Sequence, residues 1–286
     1  MKAPFHWTGL DPLATPVVVS VPHAGRRYPA ALAELARLDE AQLRVLEDRY
    51  AERLARAAAI AGHAVLVADV ARAWIDLNRD EDELDPAMIA RVPPHGLRLR
   101  TTTKVRGGLG LIPQRIAQGG DIWKSPLSPN DVEARLEAVH RPYHAALGQA
   151  LAARRRVFGA AVLIDLHSMP PLSSSRSDPA PHLVIGNRYG ATASDRFTDR
   201  ALHEVSSAGL RVALNTPYAG GYVLERHGNP RGGVHALQIE IDRSLYLDAG
   251  FDQPGKGAAT IAQLVLRLAD ALAEEAVGPA LAIAAE

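Results

Sequence analysis

The run PVVVSVP, residues 16–22, is apolar at nearly every position rather than at every second one, and it is too short for a helix. A segment of this kind reads as a strand covered on both faces, so the chain must place layers above and below it. Ala64–Ala68, Ala160–Leu166 and Ala236–Ile241 repeat the pattern, and His182–Ile185 and Leu210–Leu214 are shorter versions of it. Trp74–Leu77 reads as a further strand. Between these runs the apolar residues recur at helical spacing. Asp39 with Gln42 forms a capping-box signal, followed by Leu43, Leu46, Tyr50, Leu54 and Ala57 until Gly62. Ser128, Pro129 and Asp131 open a helix that reaches about Arg156 with a kink at Pro142, and further helices are expected over 194–207 and 258–275. The alternation predicts an α/β fold: a single three-layer domain over 1–286, its mostly parallel sheet flanked by helices on both faces. Residues 80–127 carry Pro, Gly and charge with little periodicity and read as a lid or active-site loop.

Composition narrows the chemistry. The chain has no cysteine, which removes thiolate zinc sites, iron–sulfur clusters and cysteine nucleophiles, so a metal site must be built from His, Asp and Glu. Lys plus Arg and Asp plus Glu are both 32, so no bulk field draws the protein to nucleic acid or to a membrane surface. A small anionic substrate would be held by local arginines. The opening MKAPFHWTGLDPLATP has no continuous apolar core, and the most apolar stretch, 57–70, is interrupted by His63 and Asp69. A soluble, cytoplasmic protein is expected.

In open α/β sheets ligands gather at the carboxyl ends of strands. Those ends here carry His23, then Asp76, Asn78 and Arg79, then Asp165, His167 and Ser168, while Glu240 stands between Ile239 and Ile241. Two imidazoles and a carboxylate with one open position suit a catalytic zinc ion. His23 and His167 supply the imidazoles, and the helix after the first strand offers Glu47, Asp48 and Glu52, which sequence does not rank. Asp165 shares a strand face with His167 and reads first as an orienter of that ring, with a fourth ligand or a hydrogen-bond acceptor at the sheet terminus as the alternatives. A carboxylate at Glu240, desolvated among apolar neighbours, needs a partner or a task, and Gln238 and Asp242 share its face. Arg79 is the best fork for a substrate carboxylate, with Arg176 a weaker candidate. Tyr222, after Gly220 and Gly221, is placed to close over a small substrate. His140 and His144 stand at i and i+4, but position 141 is Arg where HExxH requires Glu, so they read as structural. Gly107, Gly108 and Gly110 lack the strand and lysine of a phosphate loop. His6, His63, His95, His182, His203 and His235 have no metal-like context.

Together PVVVSVPHAGRRYP, LEDRYAERL, DLNR, LIDLHS, GGYVLERHG and HALQIEIDRSLYLD, in this order across nearly the whole chain, resemble the N-formylglutamate amidohydrolase family. The resemblance implies a zinc-exopeptidase-like (phosphorylase/hydrolase-like) fold and hydrolysis of N-formyl-L-glutamate to formate and L-glutamate, a step of histidine catabolism. It also implies His23, Asp48 and His167 as ligands of one zinc ion, Glu240 as general base, and Asn78 and Arg79 as holders of the substrate carboxylate. The His167–Ser168 pair is similar to a ligand segment of metallocarboxypeptidases. Their HxxE would place Glu at 26, where this chain has Arg26, so the carboxylate ligand comes from the helix, as in zinc-dependent peptidoglycan amidases. Two rival readings are a zinc amidase acting on another acylated amino acid or a peptidoglycan fragment, and a metal-free module that captures carboxylates with Arg79 and Arg176.

Overall fold

The computed structural model describes residues 3–9, 13–90, 99–116, 120–174 and 179–278. Nine strands occur among them: β1 Phe5–Thr8, β2 Val17–Val21, β3 Ala64–Ala68, β4 Arg115–Ile116, β5 Gly120–Asp121, β6 Ala161–Met169, β7 Leu183–Gly186, β8 Val212–Leu214 and β9 Val234–Asp242. Seven form one sheet in the order β1-β3-β2-β6-β9-β7-β8, and β4 and β5 pair separately. The β2–β3, β2–β6, β6–β9 and β7–β8 pairs are parallel, and β7 meets β9 antiparallel. The α/β class and the mostly parallel sheet are therefore as expected. Every residue of β2, β3 and β6 is buried, which is the two-faced cover that their unbroken apolar runs require.

The chain gathers into two compact units. One comprises Trp7–Val21, Asp48–Val67 and Ala146–Glu286 and contains the centre of the sheet. Its long helix Ala258–Val277 packs on β2 and β6, Asp195–Ser207 on β7 and β8, and Tyr222–His227 on β6 and β9. Ile261, Leu264, Val265, Leu268, Ala269 and Leu272 line the buried stripe of the long helix at three- and four-residue spacing. Each leucine in that stripe contributes about 2 kcal/mol of apolar burial. The other unit comprises Met1–His6, Pro22–Glu47 and Ala68–Ala145. There Gly25 fits because a Cβ would stand 2.1 Å from the Val70 carbonyl oxygen, against which the strand-end loop is bridged through Arg27. No helix among the described residues is long and apolar enough to cross a membrane.

Three local expectations are corrected. Trp74–Leu77 forms turns, not a strand. The Asp76 carboxylate accepts from the backbone N–H of Asn78 (2.8 Å), and the Asp76 N–H donates to the Leu111 carbonyl (2.7 Å), so a group that a ladder would use is committed to a loop distant in sequence. The helix expected from Asp39 to Gly62 starts with its capping box in place but breaks into Glu40–Leu43, Ala51–Leu54 and Arg56–Ile60. Glu47 turns extended and Tyr50 is left-handed at φ 60°. Strand β6 runs on to Met169, so His167 lies within the ladder rather than beyond it.

Candidate functional site

Parallel register places polar side chains in layers near the carboxyl end of the sheet. His167 on β6 lies directly opposite Glu240 on β9, and one layer earlier Asp165 lies opposite Gln238 and Ser20. Residues two apart on a strand share a face, so both layers face one way. Ser20 donates to Asp165 Oδ1 (2.9 Å), and Asp165 Oδ2 accepts from His167 Nε2 (2.8 Å). Gln238 Nε2 donates to Glu240 Oε1 (2.9 Å), while Gln238 Oε1 accepts from the backbone of Gly221 (3.0 Å). Asp165 and Gln238 thus contact His167 and Glu240 directly.

Asp48 enters through the break in the helical segment. Its Oδ2 meets His167 Nδ1 at 3.1 Å, and its Oδ1 accepts from Ser168 Oγ (3.0 Å) and Arg243 Nη2 (3.2 Å). Arg243 Nε also donates to Ser168 (3.1 Å). Of the three acids that sequence left unranked, Glu47 is taken by the hydroxyl of Tyr28, Glu52 is only part-buried, and Asp48 is the one on His167. Burial alone would push the His167 imidazole down, but Asp165, Asp48 and Glu240 override it and hold its pKa well above the ordinary value. An imidazole with a carboxylate on each nitrogen is a surplus of negative charge that a cation would relieve.

His23 is arranged in the same way. Its Nε2 is 2.7 Å from Asp76 Oδ1, and the other Asp76 oxygen accepts from Arg72 Nε (2.8 Å). Although burial opposes ionisation, Arg72, His23 and Arg79 hold the Asp76 carboxyl well below the usual range. One ligand atom from each of His23, Asp48 and His167 lies within 4.8 Å of the others, and all three residues are buried. Among the described residues this is the one group of three or more such side chains that could hold a metal ion. With Nε2 of each ring on a carboxylate, the set has the composition of a hydrolytic His, His, carboxylate centre with outer carboxylates fixing the tautomers.

The remaining expected site residues divide. Asn78 and Arg79 are buried, and Arg79 spends Nε on the Leu109 carbonyl (2.7 Å) and Nη1 on that of Asn78 (2.6 Å), which fixes the plane of its fork. Tyr222 opens the helix Tyr222–His227, and its hydroxyl accepts from Arg226 Nη1 (2.6 Å). Arg176 lies outside the described residues, as does His95. His140 and His144 donate to backbone carbonyls, in keeping with the structural reading. Sequence reasoning missed Arg243, whose signal was its place three residues after Glu240. It also missed Asp76 as the partner of His23, although Asp76 stood in the same strand-end inventory.

The profile of the N-formylglutamate amidohydrolase family matches residues 15–247. The N-formylglutamate deformylase of Pseudomonas putida is 30% identical over 240 residues, 82% of each chain, and that of Pseudomonas aeruginosa is 29% identical over 241 residues, again 82% of each. The crystal structure of N-formylglutamate amidohydrolase from Ralstonia eutropha JMP134 superposes with a TM-score of 0.86 at 33% identity, covering 94% of this chain and 98% of that one. A gene product of Agrobacterium tumefaciens shares the fold with a TM-score of 0.65 at 19% identity over 95% of both chains.

Proposed function

This chain belongs to the N-formylglutamate amidohydrolase family, and from that premise we propose that it hydrolyses the amide bond of an N-acyl amino acid, N-formyl-L-glutamate to formate and L-glutamate first among them. In this reading 1–286 acts as one domain, with 80–127 as its active-site loop, and His23, Asp48 and His167 hold a single zinc ion. The observation that carries the reading is the convergence of those three ligand atoms within 4.8 Å, in a chain whose relatives bear the name deformylase. When bound, zinc supplies Lewis acidity towards water and the amide carbonyl.

The protein's own groups have the following tasks. Asp76 and Asp165 accept from Nε2 of His23 and His167, so each ring would hold the metal through Nδ1. Arg243 and Ser168 hold one oxygen of Asp48, which leaves the other directed at His167. Glu240, steadied through Oε1 by Gln238, takes a proton from the attacking water and returns it to the leaving nitrogen. Asn78 and Arg79 hold the carboxylate of the amino acid, with Arg176 and Tyr222 as further substrate contacts, so that binding energy positions the small acyl group.

A panel of formyl, acetyl and succinyl amino acids incubated with zinc-loaded protein tests this, with Glu240→Gln alongside. N-formyl-L-glutamate is expected to release amine fastest. Glu240→Gln is expected to lower kcat by at least about a hundredfold while keeping its zinc. No amine from any acidic N-acyl amino acid would overturn the reading, and preference for a large acyl group would move it to the peptidoglycan-type amidase.

A further inference from the structure

The helix opened by Ser128 changes its winding part-way. Pro129–Arg135 is α, Leu136–His140 is a single π-turn closed by the Arg141 N–H on the Leu136 carbonyl, and Arg141–Phe158 is α again. Pro142 accounts for the change, since its ring has no N–H to give and would collide with the carbonyl four residues back in an α-helix. Three side chains of this helix donate to one loop: Arg135 Nη1 to the Trp74 carbonyl (3.1 Å), His144 Nε2 to Leu77 (2.9 Å) and His140 Nε2 to Arg79 (2.9 Å). A carbonyl only accepts, so Nε2 is the protonated nitrogen of both rings. All three side chains are buried. The carbonyls they hold bracket Asp76, which sits on His23, together with Asn78 and Arg79.

The winding makes this row possible. At α-helical pitch, residues five and nine apart point about 140° and 180° away from each other, so Arg135 could not share a face with His140 and His144. A π-turn absorbs one extra residue, which brings those offsets to about 40° and 80°. The arrangement is expensive for mere packing. Arg135 lies between the rings of Trp74 and Trp123, at 3.6 and 4.8 Å from their centroids, and its Nε and Nη2 have no hydrogen-bond partner among the described residues. An apolar side chain would fill that volume at lower desolvation cost, whereas Arg135 also secures the Trp74 carbonyl.

We infer that the π-turn is a positioning device for the hydrolytic site: by aligning Arg135, His140 and His144 it clamps the loop 74–79 and so fixes Asp76 on His23 and the aim of Asn78 and Arg79. The inference rests on the function proposed above for that site. Its test compares His144→Phe, which removes the donor, with His144→Gln, whose amide nitrogen replaces Nε2. His63→Phe is the control, because His63 is as buried but bonds Thr15 and Asp270 instead. In metal-free protein, His144→Phe is expected to speed amide hydrogen exchange over 74–79 about tenfold. It is also expected to weaken zinc about tenfold and to raise KM more than it lowers kcat. His144→Gln stays near wild type, and His63→Phe loses thermal stability without these changes. If His144→Phe does not fold, His144→Asn, whose amide stops short of the carbonyl, takes its place. Unchanged exchange in the donor-less variant, or a glutamine variant as impaired as phenylalanine, would overturn the inference. Wild-type protein that neither binds zinc nor hydrolyses substrate would instead overturn the proposed function and leave the exchange comparison to judge the clamp.

Discussion

His167 and His144 are similarly sunk in the protein, at 3% and 1% exposure, yet their partners divide them. His167 has carboxylates on both ring nitrogens, Asp165 on Nε2 and Asp48 on Nδ1, whereas His144 gives its Nε2 to a backbone carbonyl. Burial therefore does not separate an imidazole proposed to bind metal from a structural one. Between these two rings the carboxylate pair does, because it leaves negative charge for a cation to neutralise while a carbonyl is satisfied by one N–H.

The largest effect expected from this contrast is on metal content. His167→Ala should abolish zinc binding and hydrolysis together, with an affinity loss beyond the roughly hundredfold that outer partners account for. His144→Phe should still bind zinc stoichiometrically. Metal analysis of both proteins after zinc supplementation checks the pair, and equal zinc loss in the two would break the comparison.

A smaller effect is expected at Asp165, which touches Nε2 of the His167 ring and is outside the proposed ligand set. Asp165→Asn keeps an acceptor for Nε2 and removes a charge, so zinc affinity should fall about 10- to 100-fold. The sign of its pH dependence follows from the raised pKa of His167. In metal-free protein that imidazole holds its proton up to its folded-state pKa, and the stability gained from the ion pairs is lost as pH rises through that value. Zinc must displace the proton, so apparent affinity should climb with pH over the same range, and less steeply in Asp165→Asn. Zinc titrations at several pH values, with proton release measured in parallel, check this. Identical slopes would mean that Asp165 does not set the proton.

The contrast also explains what could be read from sequence. Unbroken apolar runs located β2, β3 and β6 because a two-faced strand admits few other compositions. Glu240 stood out because a carboxylate in such a run has no cheap solvation. Asp48 could not be ranked above Glu47 and Glu52, because Leu43, Leu46, Tyr50 and Leu54 keep helical spacing through a segment that the structure breaks. That break is set by groups distant in sequence: Ser168, His167 and Arg243 on Asp48, and Gln253 on the Tyr50 hydroxyl (3.0 Å). Trp74–Leu77 failed as a strand for a related reason, since the partners of its carbonyls sit on a helix some 60 residues later (61 and 67 residues for Arg135 and His144).

The smallest expected effect uses a third kind of histidine, one held by a stacked ring and a backbone N–H. His235 is buried on β9, stacks on Phe197 with ring centroids 4.0 Å apart, and accepts through Nδ1 from the backbone of Ser194 (3.3 Å). Burial, with Arg196 nearby, pushes its pKa down to about 4, so the folded protein favours the neutral ring. Between about 6.5 and 4 the unfolded chain binds the proton that the folded chain refuses, and stability present above that window is lost as pH falls through it. At about 1.4 kcal/mol per pKa unit the loss is bounded at about 3.5 kcal/mol. His235→Leu keeps the stacking volume and removes the titration. Urea unfolding at pH 7 and pH 4.5 should therefore show a smaller acid-induced loss in the variant than in the wild type, with zinc affinity at pH 7 unchanged. A wild-type loss that persists in full in His235→Leu would assign the acid sensitivity to another group. A change in zinc affinity at pH 7 would mean that burial without a carboxylate partner had, after all, marked a histidine coupled to the proposed metal site.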